Sequence, residues 1–137
     1  MDIRHLEVKD TKITKIVIVG YSHGAAIATL CHEYVWFNRP DLRDDCIEGY
    51  GFGCPRVFWG QNISKELKQR WKNFHIIRNL NDIVTYMPPV SFGFHHVVQP
   101  ISIGKKNKFK IRLNKLKSVD AHRPENYIYS IQQEITD

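Results

Sequence analysis

The run Ile16-Val17-Ile18-Val19-Gly20-Tyr21-Ser22-His23-Gly24 narrows what this chain can fold into more than any other stretch. Its four β-branched residues predict a buried strand over 15 to 19. The small residues Ala25-Ala26-Ile27-Ala28 that follow predict a closely packed helix over 24 to 37, stopping before Pro40. Between them lies Gly-x-Ser-x-Gly, the pattern of a sharp strand-to-helix turn that exposes a serine hydroxyl as a nucleophile elbow. Gly20 and Gly24 are expected because a side chain at either would collide with the neighbouring strand or helix. The competing account makes Ser22 an ordinary helix N-cap, but a cap needs no glycine two residues away on both sides.

The rest of the chain continues the alternation of strand and helix. Residues 46 to 52 read as a glycine-rich strand leading into Gly53-Cys54-Pro55-Arg56, and residues 60 to 72 as a polar helix with Ile63, Leu67 and Trp71 on one face. Phe74-His75-Ile76-Ile77-Arg78 is a third strand that runs into Asn79-Leu80-Asn81-Asp82. Beyond Pro88-Pro89, residues 97 to 103 and 108 to 113 predict a hairpin across Gly104-Lys105-Lys106-Asn107, and 124 to 134 a last helix with Pro124 in its first turn and Tyr127, Ile128 and Ile131 inward. The fold class is therefore α/β, a partial sheet with a nucleophile elbow, flanking helices and a C-terminal hairpin. With 137 residues and neither repeats nor linkers, residues 1 to 137 read as a single domain, one long enough to bury about two-thirds of its unfolded surface.

Charge and cysteine content exclude several function classes. The formal net charge of +6 is concentrated in Lys105, Lys106, Lys108, Lys110, Arg112, Lys115 and Lys117. Because Phe109, Ile111 and Leu113 alternate with these cations, the segment is an amphipathic strand with a solvated basic edge. At most it makes a peripheral contact with an anionic lipid surface through Lys105, Lys106, Lys108 and Lys110. Nucleic acid is not an expected partner, since exposed aromatics are not interleaved with the cations. Cys31, Cys46 and Cys54 fit no disulfide or zinc spacing and read as packing residues. Residues 1 to 10 show no apolar leader, and the expected location is cytoplasmic.

A serine hydroxyl becomes a nucleophile only when a base takes its proton and an acid orients that base. In an elbow fold these follow in the order serine, acid, histidine. Asp82 ends the third strand, at the sheet edge where such folds place their reactive loops, whereas Asp41, Asp44 and Asp45 lie before the second strand. His5 precedes Ser22 and His32 and His75 precede Asp82, while His23 sits in the elbow, where its backbone N–H matters more than its ring. Of His95, His96 and His122, the last is preferred as the base because it follows the terminal strands. His96 is the secondary candidate, with a cleft-lining role beside the Asp82 loop as its alternative.

Several separated motifs resemble the class 3 lipases, the fungal-type triacylglycerol lipase family within the α/β hydrolases. Gly20-Tyr21-Ser22-His23-Gly24-Ala25-Ala26 is similar to the family's GHSLGGA, Phe52-Gly53-Cys54-Pro55-Arg56-Val57 to FGxPRVG, and Asn81-Asp82-Ile83-Val84-Thr85-Tyr86-Met87-Pro88-Pro89 to NDIVPxLPP. Phe92-Gly93-Phe94-His95-His96-Val97 resembles GYxHVG, and Asp120-Ala121-His122 with Tyr127 resembles the DHxxY region. The resemblance implies Ser22 as nucleophile, Asp82 as acid, His122 as base and the His23 backbone N–H as one oxyanion donor, with no metal or cofactor. It implies a serine ester hydrolase whose substrates are carboxylic esters, acylglycerols among them. Tyr86, Met87, Phe92 and Phe94 would offer an apolar wall for an acyl chain.

The family's FRGT-like loop, which supplies the second oxyanion donor, has no counterpart here. The chain thus resembles the C-terminal half of a lipase domain, and the alternative function is a catalytically incomplete, partner-dependent module. The strand at 15 to 19 is then expected to be an apolar edge that pairs with a second copy, as a homodimer, or with an upstream polypeptide.

Overall fold

The computed structural model describes residues 14–43, 46–60, 65–104 and 119–136. Four parallel strands form the main sheet in the order β1-β2-β4-β6: β1 Ile16–Tyr21, β2 Ile47–Phe52, β4 Phe74–Asn79 and β6 Ile101–Ile103. β1 and β2 run in register from Ile16 opposite Ile47 to Tyr21 opposite Phe52. A two-stranded antiparallel ribbon joins β3 Phe58–Trp59 to β5 Phe94–His95. The helices are α1 His23–Asn38, α2 Lys65–Arg70 and α3 Pro124–Thr136.

The strands form where β-branched and aromatic residues cluster, because such side chains fit a pleated surface flanked by helices. α1 lies across β1 and β2, and its inward residues Ala25, Ala28, Thr29, His32 and Val35 are buried. Ala25 and Ala28 pack with Cys54, Trp71, Phe74, Ile76 and Val97 in one core cluster, and Val35 packs with Leu42 and Ile47 in a second. Burying side chains the size of Val35, Leu42, Ile47, Phe74 and Ile76 contributes about 1.5–3 kcal/mol each. α3 covers the opposite face of the sheet, where the Tyr127 ring meets Phe52 edge-on at 6.5 Å.

Several expectations are adjusted. β6 is shorter than the run from 97 to 103, and Val97 joins the core from an irregular segment that ends at Pro100. The second hairpin strand and Lys105, Lys106, Lys108 and Lys110 lie outside the described residues, as do Asp44, Asp45 and Ile63. Trp71 is buried as expected, but just past the end of α2. On α3, Tyr127 and Ser130 face inward whereas Ile128 is exposed, so the helix is rotated from its expected facing.

Outside this packing stand two separate apolar surfaces, one on β1, which is an edge strand and not the buried strand expected, and one on the outer face of α1. Val17 and Val19 are exposed on β1, as are Ile27, Leu30, Tyr34 and Phe37 on α1. Spaced three, four and three residues apart, the α1 residues make one continuous stripe. α1 is therefore apolar on both sides.

Candidate active site

All four parallel strands point their carboxyl ends at one edge of the sheet, the edge where open α/β sheets build their sites. Ser22 follows β1 there, Gly53 follows β2, and Asp82 follows β4. Ser22 has φ 56° and ψ −124°, a left-handed conformation that a non-glycine residue adopts only under strain, costing about 1–3 kcal/mol. Its amide donates to the Phe52 carbonyl at 2.9 Å and its carbonyl accepts from Ala25 N at 3.0 Å, so the turn is tied on both sides. No side-chain capping hydrogen bond forms at Ser22, which leaves the hydroxyl free of the helix and sets aside the N-cap account.

The two elbow glycines differ. A Cβ on Gly20 would stand 2.3 Å from the Gly24 carbonyl oxygen, so the crossing of strand and helix excludes any side chain. A Cβ on Gly24 would meet nothing within 4 Å, which corrects the expected collision at that position.

Ser22 Oγ lies 2.7 Å from His122 Nε2, and His122 Nδ1 lies 2.8 Å from Asp82 Oδ2. Sixty residues of chain separate the serine from the aspartate and forty more the aspartate from the histidine, yet the three form one hydrogen-bonded line. Asp82 is fully buried, and its charge is met from several directions. Oδ1 accepts from Val84 N at 2.9 Å, and Oδ2 accepts from the Tyr127 hydroxyl at 2.5 Å as well as from the imidazole. The Tyr127 oxygen in turn accepts from Asn79 N at 3.1 Å. Burial and the neighbouring carboxylate push the Tyr127 phenol far above its ordinary pKa, so it stays a donor at every working pH.

Three residues not singled out by any motif or spacing hold the imidazole. Tyr21 stacks on the His122 ring with centroids 5.2 Å apart and planes 22° off parallel, and its hydroxyl donates to the His122 carbonyl. Burial, then the Asp82 charge, raises the Tyr21 pKa and keeps that donor protonated. Gly53, at φ +60°, lies so close that a Cβ would stand 3.0 Å from His122 Cε1 and 3.2 Å from Asp82 Oδ2. Asn79 Nδ2 donates to the Ala121 carbonyl at 3.1 Å, fixing the turn that carries His122.

His96 is held elsewhere. Its Nε2 lies 2.8 Å from the Thr85 carbonyl, and Thr85 Oγ1 donates to the Asp82 carbonyl at 2.8 Å. The cleft-lining alternative fits this geometry and the base role does not. His23 begins α1, where a helix has no internal partner for its amide. Cys54 is buried with its thiol pushed up to about 11 by desolvation, and no group of histidine, cysteine or carboxylate residues able to hold a metal occurs among the described residues.

Residues 2–92 match the family model described as lipase (class 3), a match that takes in Ser22 and Asp82 and ends before His122. A secreted mono- and diacylglycerol lipase of Malassezia restricta, LIP2, is 30% identical over 99 residues, covering 70% of this chain and 30% of the relative. Phospholipase A1-IIgamma of Arabidopsis thaliana is 32% identical over 93 residues, covering 62% and 22%. A solved structure described as "a serine protease triad forms the catalytic centre of a triacylglycerol lipase" superposes with a TM-score of 0.56 at 26% identity, covering 69% of this chain and 35% of that one. The chain thus spans about a third or less of the proteins it matches. The secreted relative overturns the cytoplasmic expectation, which had rested only on the lack of an apolar run in residues 1 to 10.

Proposed function

Because this chain belongs to the class 3 lipase family, we propose that it carries the serine-hydrolase centre of a carboxylic ester hydrolase acting on acylglycerols. One observation carries the proposal: the unbroken line from Ser22 Oγ through His122 to Asp82, with gaps of 2.7 and 2.8 Å. Ser22 Oγ attacks the ester carbonyl while His122 Nε2 takes its proton. Asp82 accepts the Nδ1 proton, fixes the tautomer and stabilises the imidazolium as it forms. The tetrahedral oxyanion draws on the His23 backbone N–H. His122 then protonates the leaving alcohol, and water repeats the sequence on the acyl-enzyme. Tyr86, Met87 and Phe92 are exposed close to the Asp82 loop and supply an apolar wall for the acyl chain. The secreted relative supports an extracellular site of action.

A second reading, in which the centre works only with added polypeptide, draws on the apolar residues exposed on β1 and on α1 and on the chain spanning about 30% of the Malassezia lipase. In it residues 1 to 137 form one domain whose β1 edge is completed by a second copy or by another polypeptide. Fluorophosphonate labelling followed by intact mass separates the two readings, because the probe reports serine activation without assuming a substrate. A single adduct, lost in Ser22→Ala and reduced by roughly 10⁶ in rate in His122→Ala, is the expected outcome. Folded protein that takes no adduct would sink the self-sufficient centre and leave the partner-dependent one.

A further inference from the structure

A cavity of about 430 Å³ is lined by Arg56, Lys68, Arg78, His95, His96 and Gln99 among others. Three permanent cations and two imidazoles face it, and none of the lining residues is a carboxylate. That balance is unusual in this molecule. Arg39 pairs with Asp41 at 2.8 Å, Arg70 with Glu33 at 2.7 Å and Arg123 with Asp120 at 3.3 Å, yet Arg56, Lys68 and Arg78 form no ion pair among the described residues.

The two guanidiniums are nonetheless held in place. Arg56 Nη1 donates to the Tyr86 carbonyl and, at 2.8 Å, to the Pro88 carbonyl. Arg78 Nη2 donates to Ser102 Oγ at 3.1 Å, while its Nε is buried with no partner. Both cations lie over the same Tyr86 ring, with guanidinium carbons 5.9 and 4.7 Å from its centroid. Carbonyls, a hydroxyl and a ring face orient these charges without neutralising them, so mutual repulsion and an unmet buried donor remain. An incoming anion relieves both. Guanidinium forks match tetrahedral oxyanions in bidentate fashion, and three cations suit a group that carries close to two negative charges.

We propose that this cavity is a binding site for a phosphate-type oxyanion, either free phosphate or the phosphate of a lipid headgroup, held by Arg78, Arg56 and Lys68. His96 reports its occupancy. Its Nε2 must carry the proton that bonds the Thr85 carbonyl, and burial, then the Arg56 and Arg78 charges, hold its pKa below the ordinary value. An anion between these arginines removes that repulsion and raises the His96 pKa. His95 and Lys68 are the other titratable groups facing the cavity.

The proposal does not rest on the esterase reading, and the test is made on the full chain carrying Ser22→Ala, so that ester turnover plays no part. Inorganic phosphate and a short-chain phosphatidic acid below its micelle threshold are titrated in turn, following the histidine ring signals by NMR. Saturable binding and a raised His96 pKa are expected, with sulfate competing and chloride not. Arg78→Gln is expected to weaken binding by at least about tenfold, and Lys68→Gln, an exposed helix position chosen to leave folding intact, by about fivefold. Equal affinities for the two ligands identify free phosphate; tighter phosphatidic acid identifies a headgroup. Non-saturating shifts, or binding that both variants leave unaltered, would overturn the site.

Discussion

The corner holding Ser22, Asp82 and His122 gathers the ends of β1, β2 and β4 and the turn before α3, whereas the flank consists of the two outward surfaces of β1 and α1, and the two regions differ in closure. At the corner each polar atom of Asp82 has a donor, the imidazole is stacked and tied, and a glycine stands where one methyl group would intrude. On the flank, Val19 is 62% and Leu30 54% exposed, and the stripe from Ile27 to Phe37 has no covering element among the described residues. Isolated exposed apolar residues are ordinary, but a contiguous stripe along a helix and an unpaired apolar edge strand each mark a surface that is meant to be covered. The contrast shows that the reactive geometry is specified by local packing at the strand ends, whereas the walls around it are not.

The sharpest way to break that contrast is at Gly53. Gly53→Ala forces a methyl to 3.0 Å from His122 Cε1 and leaves alanine at φ +60°. Fluorophosphonate labelling is expected to slow, by less than the roughly 10² that a 1 Å displacement costs in a positioned reaction, with about 1–2 kcal/mol of backbone strain besides. Gly24→Ala is the control. Its Cβ meets open space inside a helix, so it should leave labelling unchanged and stabilise by about 0.5–1 kcal/mol. Equal effects at the two glycines would mean that the corner is not closed as described.

A second prediction concerns the buried side of α1. His32 stacks on Trp71 at 4.6 Å, meets Phe74 edge-on at 5.3 Å, and keeps an unpartnered Nδ1. Desolvation lowers its pKa from 6.5 to about 4. Between pH 6.5 and 4 the unfolded chain therefore binds a proton that the folded chain does not, and stability falls as pH falls through that window. The difference amounts to up to about 3 kcal/mol at the acid end. His32→Phe, which keeps the ring stack and cannot titrate, should flatten the dependence of Tm on pH across this range. A slope identical to that of the parent would show that His32 is protonated in the folded protein.

What the sequence made legible follows from how local each signal was. The β-branched run before Ser22 and the apolar run of β4 give away their strands, and chain order together with position at the strand ends points to Asp82 and His122, the residues that the fold then brings to Ser22. Tyr21 and Gly53 carried no such signal, because their part in the corner depends on contacts with His122, 101 residues from Tyr21. α3 misled for a related reason. Its facing is set by the Tyr127 hydroxyl, which must reach Asp82 and Asn79, and not by the count of isoleucines. The ribbon of β3 and β5 is two residues per strand, too short for alternation to register.

The smallest expected effect lies on the flank and tests the other half of the contrast. Val19→Lys with Leu30→Glu replaces two exposed apolar side chains that touch neither core cluster. If the flank is open in the folded chain, denaturation in urea should change by no more than about 0.5 kcal/mol, and the labelling rate should stay at the parent's value. If copies of the chain associate through either surface, the double variant sediments at lower mass than the parent. A loss beyond about 2 kcal/mol would mean that the face is already covered, because only a buried position turns a new charge into a penalty of that size. The flank would then be as closed as the corner, and the part of the protein that shapes the substrate wall would have to be sought elsewhere.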